Sequence, residues 1–119
     1  MIQVLSDPGC PNCRKTKKLL QMNNVDFEYS NLQTEPMKKE TLARILQLVE
    51  DVDEILTVGS PIYNELEVDY SKLPPEELLE TLRKYPDLIN RPILFNEKNL
   101  CVGYDPEKLT AFGVSADVF

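Results

Sequence analysis

Ile2-Gln3-Val4-Leu5 runs at a strand-like period and stops at Asp7-Pro8-Gly9, a cluster of turn-forming residues. From Pro11 to Asn23 no breaker interrupts the chain, so this stretch predicts a helix, and Val25-Asp26-Phe27-Glu28-Tyr29 then alternates strictly as a second strand. Strand, helix and strand within thirty residues form a βαβ unit, whose right-handed crossover makes the two strands parallel neighbours.

The period changes after Thr34. Leu42, Ile45, Leu46 and Val49 fall at i, i+3, i+4 and i+7, the stripe of an amphipathic helix. Shorter helical pieces are expected at Asp53 to Leu56 and Pro61 to Leu66. Pro74-Pro75 opens another helix carrying Leu78, Leu79, Leu82 and Tyr85, with Glu76 and Glu77 near its positive end. Beyond Pro86 the pattern returns to strands. Ile93-Leu94-Phe95, a polar turn at Asn96-Glu97-Lys98-Asn99 and Leu100-Cys101-Val102-Gly103-Tyr104 read as an antiparallel hairpin. Asp105 is then placed as the cap of a last helix, Pro106 as its first residue and Gly113 as its stop. A βαβ and a ββα sharing one mixed sheet is the layout of an α/β thioredoxin-like fold, with the helical block inserted between the halves. The expected division of the single domain 1–119 is a core from 1–33 and 86–119 and an insertion over 34–85.

At 119 residues the chain is about one domain long. Its composition, 42% hydrophobic and 28% charged, is that of a globular protein, not a disordered one. Thirteen Lys and Arg against twenty Asp and Glu give a formal charge of −7, which disfavours direct neutralisation of nucleic-acid phosphates and directs any such role through a partner. No apolar run approaches the ~20 residues of a membrane helix, and the start lacks the pattern of a secretory signal, so the expected compartment is the cytoplasm. Histidine is absent, which removes His-based acid–base catalysis and Cys₂His₂ zinc sites and leaves cysteine, carboxylates, Lys, Arg and Tyr as chemical groups.

Cys10-Pro11-Asn12-Cys13 lies where the first strand gives way to the first helix. There Cys10 faces the unpaired N–H groups and positive dipole end of the helix, an arrangement that favours a thiolate and hence a nucleophilic or redox cysteine. Arg14, Lys15, Lys17 and Lys18 add positive charge in an otherwise acidic chain. Residues i and i+3 of a helix lie about 5 Å apart at Cα, within reach of a disulfide. Two other readings of the pair remain at this level: small residues filling a strand–helix junction, or half of a zinc site completed by another chain. Cys101, inside an apolar strand, reads as a buried filler. On local grounds Arg91 is an exposed charge and Pro92 the start of an edge strand, since nothing nearby ties them to the cysteines. The acidic run Glu50-Asp51-Val52-Asp53-Glu54 reads as a solvated helix end or as a partner surface.

Taken together, these residues resemble the Spx and arsenate reductase (ArsC-like) family along the whole chain. The resemblance is carried by Asp7-Pro8-Gly9-Cys10-Pro11-Asn12-Cys13-Arg14-Lys15, Glu35-Pro36, Glu50-Asp51-Val52-Asp53-Glu54-Ile55, Pro86-Asp87-Leu88-Ile89-Asn90-Arg91-Pro92-Ile93-Leu94 and Val102-Gly103-Tyr104. It implies a thioredoxin-like core with a helical insertion. It also implies that Arg91 lies beside Cys10, with Pro92 in the loop facing the cysteines.

Two functions follow from the resemblance. Arsenate reductases of this kind attack the oxyanion with a cysteine in the position of Cys10, hold it with three arginines and are regenerated by glutathione and glutaredoxin. Only Arg91 matches here, because Thr57-Val58-Gly59-Ser60 and Cys101-Val102-Gly103 carry no arginine where the other two would fall. Spx-type regulators pair two cysteines in a C-x-x-C switch and bind the C-terminal domain of the RNA polymerase α subunit. That likeness makes Cys10 the attacking thiolate, Cys13 its resolving partner and Arg91 an electrostatic stabiliser, with no cofactor and with glutathione and glutaredoxin, or thioredoxin, as reductant. Gln47, Glu50, Asp51, Val52 and Asp53 mark the region that would meet polymerase. A plain glutaredoxin-like disulfide oxidoreductase is the third reading, from the local Cys10-Pro11-Asn12-Cys13 sequence.

Overall fold

The computed structural model describes residues 2–7 and 9–115, so Pro8 of the first turn cluster and 116–119 at the end of the expected core lie outside the described residues. In chain order the elements are β1 (Ile2–Ser6), α1 (Pro11–Met22), β2 (Phe27–Asn31), α2 (Lys39–Leu48), α3 (Pro61–Glu65), α4 (Pro75–Lys84), β3 (Ile93–Phe95), β4 (Leu100–Val102) and α5 (Pro106–Leu109). Short 3₁₀ turns occupy Val52–Ile55, Tyr70–Lys72, Pro86–Leu88 and Thr110–Phe112. The strands form one mixed sheet in the order β2-β1-β3-β4. β1 and β2 are parallel, whereas β3 is antiparallel to both β1 and β4.

Consecutive positions of the central strands point to opposite faces, and the two faces bury different sets of side chains. Val4 and Leu94 pack with Leu19 and Leu20 of α1, Cys101 of β4 and Leu109 of α5. Leu5, Ile93 and Phe95 pack on the other side with Leu42 and Ile45 of α2 and Leu78 and Leu82 of α4. The apolar stripes of α2 and α4 therefore exist to cover that face. α4 begins at Pro75 and carries Glu76 and Glu77 in its first turn and Arg83 and Lys84 in its last, the charge order its dipole favours. Arg83 Nε donates to the Met37 carbonyl at 2.8 Å, tying α4 to the segment that leads into α2.

Three expectations are corrected. The second strand runs over Phe27–Asn31 and not Val25 to Tyr29, because the Val25 amide donates to the Leu20 carbonyl at 3.0 Å and so closes α1 instead of joining the ladder. The last strand ends at Val102, where Gly103 takes φ +77° and its amide donates to the Pro92 carbonyl at 2.7 Å. Pro92 does not start an edge strand, since β3 lies between β1 and β4. Asp105 does cap α5, accepting from the Lys108 amide, and Gly113 takes φ +95° at the end of the following 3₁₀ turn.

Among the described residues two hydroxyls are fully buried without a hydrogen-bond partner, those of Ser6 at the end of β1 and Thr16 in α1. An unpaired buried hydroxyl costs about 1–3 kcal/mol, and valine has nearly the shape of threonine. Thr16→Val is therefore expected to raise the unfolding free energy by about 1 kcal/mol, read as a higher urea midpoint at unchanged m.

Candidate functional site

β1 ends at Ser6, and the turn that follows brings the chain into α1 with Cys10 as its N-cap, in extended geometry at φ −90° and ψ 119°. The Cys10 amide donates to the Asp7 carbonyl at 3.0 Å, which closes the turn. Cys10 Sγ accepts from the Cys13 amide at 3.2 Å, so a sulfur performs the capping that a hydroxyl or carboxylate oxygen usually performs. Pro11 follows at the first helical position, where its missing N–H is not needed.

The two thiols are unequal. Cys10 is half-buried and reachable from solvent, whereas Cys13 is 2% exposed on the inner face of α1, and both are unbridged in this structure. The Cys13 thiol is pushed up from its ordinary 9.0 to about 12, first by burial and next by its hydrogen bond with the Cys10 side chain. A backbone hydrogen bond from Asp7 and the positive charge of Arg91 oppose that rise without cancelling it. Cys13 is thus a protonated, shielded thiol one helical turn from an accessible one. Burial raises the Cys101 thiol as well, and its Sγ lies fully buried, 3.7 Å from the Gly103 carbonyl and 4.0 Å from that of Asp105.

Arg91 belongs to this site. Its side chain is 18% exposed and its Nη1 donates to Asp7 Oδ2 at 2.8 Å, which corrects the local reading of it as an exposed charge. Nη2 reaches Asp87 Oδ1 at 3.5 Å. The Arg91–Pro92 peptide is cis. The stretch before β3 is held on both sides: the Thr57 hydroxyl donates to the Asp87 and Leu88 carbonyls, and the Gly103 amide to that of Pro92. The two segments without arginine therefore do adjoin the Arg91 loop.

Asp7 and Gln33 are site residues that the sequence reading did not single out. Asp7 Oδ1 accepts from the Gly9 amide at 2.9 Å, and Oδ2 accepts from Gln33 Nε2 at 3.3 Å as well as from Arg91. The Asp7-Pro8-Gly9 turn signal locates Asp7 but says nothing of its ion pair, and Gln33 carries no local signal at all. Of the basic residues in α1, Lys15 lies over the Tyr104 ring at 5.7 Å and Lys17 over Tyr29 at 4.4 Å. Among the described residues no group of three or more Cys, Asp or Glu side chains is arranged to hold a metal ion, and no helix is long and apolar enough to cross a membrane.

The acidic run lies apart from this cluster in sequence and folds as a capped 3₁₀ turn. Asp51 Oδ1 accepts from the Asp53 amide, and Glu54 Oε2 accepts from the amides of Glu50 and Asp51. Asp53 Oδ1 accepts the Tyr63 hydroxyl at 2.9 Å, which raises the Tyr63 phenol above its usual value. Gln47, Glu50 and Asp51 are exposed, but Val52 is only 9% exposed and packs into the core beneath them.

The fold has parallels among known proteins. The ArsC family profile matches residues 5–112, and the chain belongs to the ArsC family. Its relatives include the global transcriptional regulator Spx of Lactiplantibacillus plantarum, 38% identical, and Spx 1 of Bacillus cereus, 34% identical. Each alignment spans 113 residues, 94% of this chain and 86% of the relative. A putative ArsC family related protein from Bacteroides fragilis has a TM-score of 0.74 at 25% identity, covering 93% of this chain and 97% of its own. An arsenate reductase from Vibrio cholerae superposes with a TM-score of 0.78 at 24% identity over 93% of this chain and 96% of its own. The fold is accordingly the thioredoxin-like fold of this family.

Proposed function

We propose that this chain is a cytoplasmic, redox-responsive transcriptional regulator of the Spx type, acting through the C-terminal domain of the RNA polymerase α subunit and switched by Cys10 and Cys13. The observation that carries the reading is the pairing of a reachable, helix-capping Cys10 with a buried, protonated Cys13 one turn away, in a chain whose named relatives are Spx regulators. Attack of Cys10 sulfur on a peroxide gives a sulfenic acid. Cys13 then loses its proton and displaces water, closing a Cys10–Cys13 disulfide in a net two-electron oxidation. A dithiol or glutathione-linked reductant reverses it. Arg91 supplies positive potential beside the thiols, and Pro92 borders them. Gln47, Glu50 and Asp51 provide the exposed part of the polymerase-facing surface, with Asp53 anchored to Tyr63 and Val52 holding the turn from below. The acidic charge of the chain suits action through polymerase and not by direct contact with DNA.

The test is binding of the purified chain, reduced and then oxidised, to the isolated α-subunit domain. Saturable binding that differs between the two states is expected, and Cys10→Ser should abolish the difference. Absence of binding in both states removes the polymerase part of the reading. Arsenate turnover with glutathione and glutaredoxin is expected to be negligible with Arg91 as the one matching arginine. A clear rate would put the arsenate reductase-like alternative, with Cys10 as nucleophile, first.

A further inference from the structure

Asp7 is held as a bound anion is held. Its carboxylate takes hydrogen bonds from the Gly9 amide, the Gln33 side chain and the Arg91 guanidinium, three donors from three separate segments. The pair is shielded, with Asp7 21% and Arg91 18% exposed. It also lies at the thiols: the Cys10 amide bonds the Asp7 carbonyl, and both a backbone hydrogen bond of Asp7 and the charge of Arg91 reach Cys13. A guanidinium binds carboxylates and tetrahedral oxyanions through the same N–H fork, so the group that now satisfies Arg91 and the group that would compete for it share one chemistry.

We infer that Asp7 is an internal anion that fills the oxyanion-binding position beside Cys10, making it the residue that determines which substrates the thiol can meet. An incoming phosphate-like anion must displace a tethered carboxylate and approach against its negative charge. A pair closed about 90% of the time raises the apparent Kd of such a ligand about tenfold. Thiol oxidants without charge, such as hydrogen peroxide, meet no such competition. Asp87, at 3.5 Å from Nη2 and 73% exposed, is a weak substitute partner because its charge is solvated. The inference rests on the reading of Cys10 as the reactive, reachable thiol and deepens it by naming the ligand class that the site turns away.

The experiment uses the reduced full chain and inorganic phosphate, with ionic strength held constant by chloride. The rate of Cys10 alkylation by iodoacetamide reports whether an anion sits beside the sulfur, since Cys13 and Cys101 are buried. Wild type is expected to show saturable protection only at about tenfold higher phosphate than a variant without the Asp7 carboxylate. Asp7→Ser, which removes the charge and vacates its volume, should gain saturable protection at about tenfold lower phosphate or better. Adding Arg91→Met to that variant should erase the gain. If Asp7→Ser does not fold, Asp7→Asn removes the charge at constant size and is expected to gain in the same direction. Saturable protection of the wild type at the same phosphate as the variant would overturn the inference. So would a folded Asp7 variant with no gain, or a gain that survives loss of Arg91. No disulfide is formed in this titration, so a failure of the Cys10–Cys13 switch leaves its outcome unchanged.

Discussion

Between about pH 8 and about pH 10.5 the wild-type chain is expected to lose about 2 kcal/mol more of its unfolding free energy than a Cys13→Ala variant loses. The folded Cys13 thiol titrates at about 12, whereas an unfolded thiol titrates near its ordinary 9.0. Below the unfolded value both states hold the proton and the contribution is fully present. Above it the unfolded chain has released a proton that the folded chain retains, so stability falls by about 1.4 kcal/mol per pH unit. Cys101 shifts in the same direction and is common to both proteins, so the difference between the two slopes isolates Cys13. Urea unfolding under reducing conditions at several pH values gives both slopes. Parallel slopes would show that Cys13 is not shielded in solution, and the separation of roles between the two cysteines would lose its basis.

Phe95→Ala is expected to cost about 3–5 kcal/mol, a large part of the 5–15 kcal/mol typical of a domain. Phe95 is nearly fully buried on the central strand β3 and packs with residues of the helical insertion, while its neighbour Leu94 faces the α1 side. A three-residue strand thus links both cores, and a cavity beneath it loosens the insertion and the sheet together. Circular dichroism and tyrosine fluorescence should follow one urea transition in wild type and in the variant. Two separated transitions would show that 34–85 unfolds independently of the rest.

The local elements were legible in the sequence wherever the determinant was itself local. Pro11, Pro75 and Pro106 start helices because their fixed φ suits the first turn, and Asp105 and Gly113 bound the last helical segment by their own capping and left-handed geometry. The Val25-to-Tyr29 alternation of side chains is real, yet the ladder begins two residues later because α1 uses the Val25 amide. Position in the sheet was not legible for Pro92, because strand order depends on long-range packing. The Arg91–Asp7 pair joins residues 84 positions apart, so no local pattern carries it and only the family resemblance brought Arg91 toward the cysteines. The acidic run shows the limit in the other direction: its charges are conspicuous, but Asp51 and Glu54 cap their own turn.

The sulfur that accepts the Cys13 amide is also the more exposed of the two in the Cys-x-x-Cys pair. Closure of a Cys10–Cys13 disulfide would weaken that acceptor, and the amides of the first turn of α1 are then expected to lose part of their protection from solvent. Hydrogen exchange at Cys13 then becomes a direct reading of thiol chemistry, with no partner or substrate needed. That sulfur caps the turn that Pro11 opens, so local opening of the start of α1 and the chemistry of Cys10 are expected to vary together.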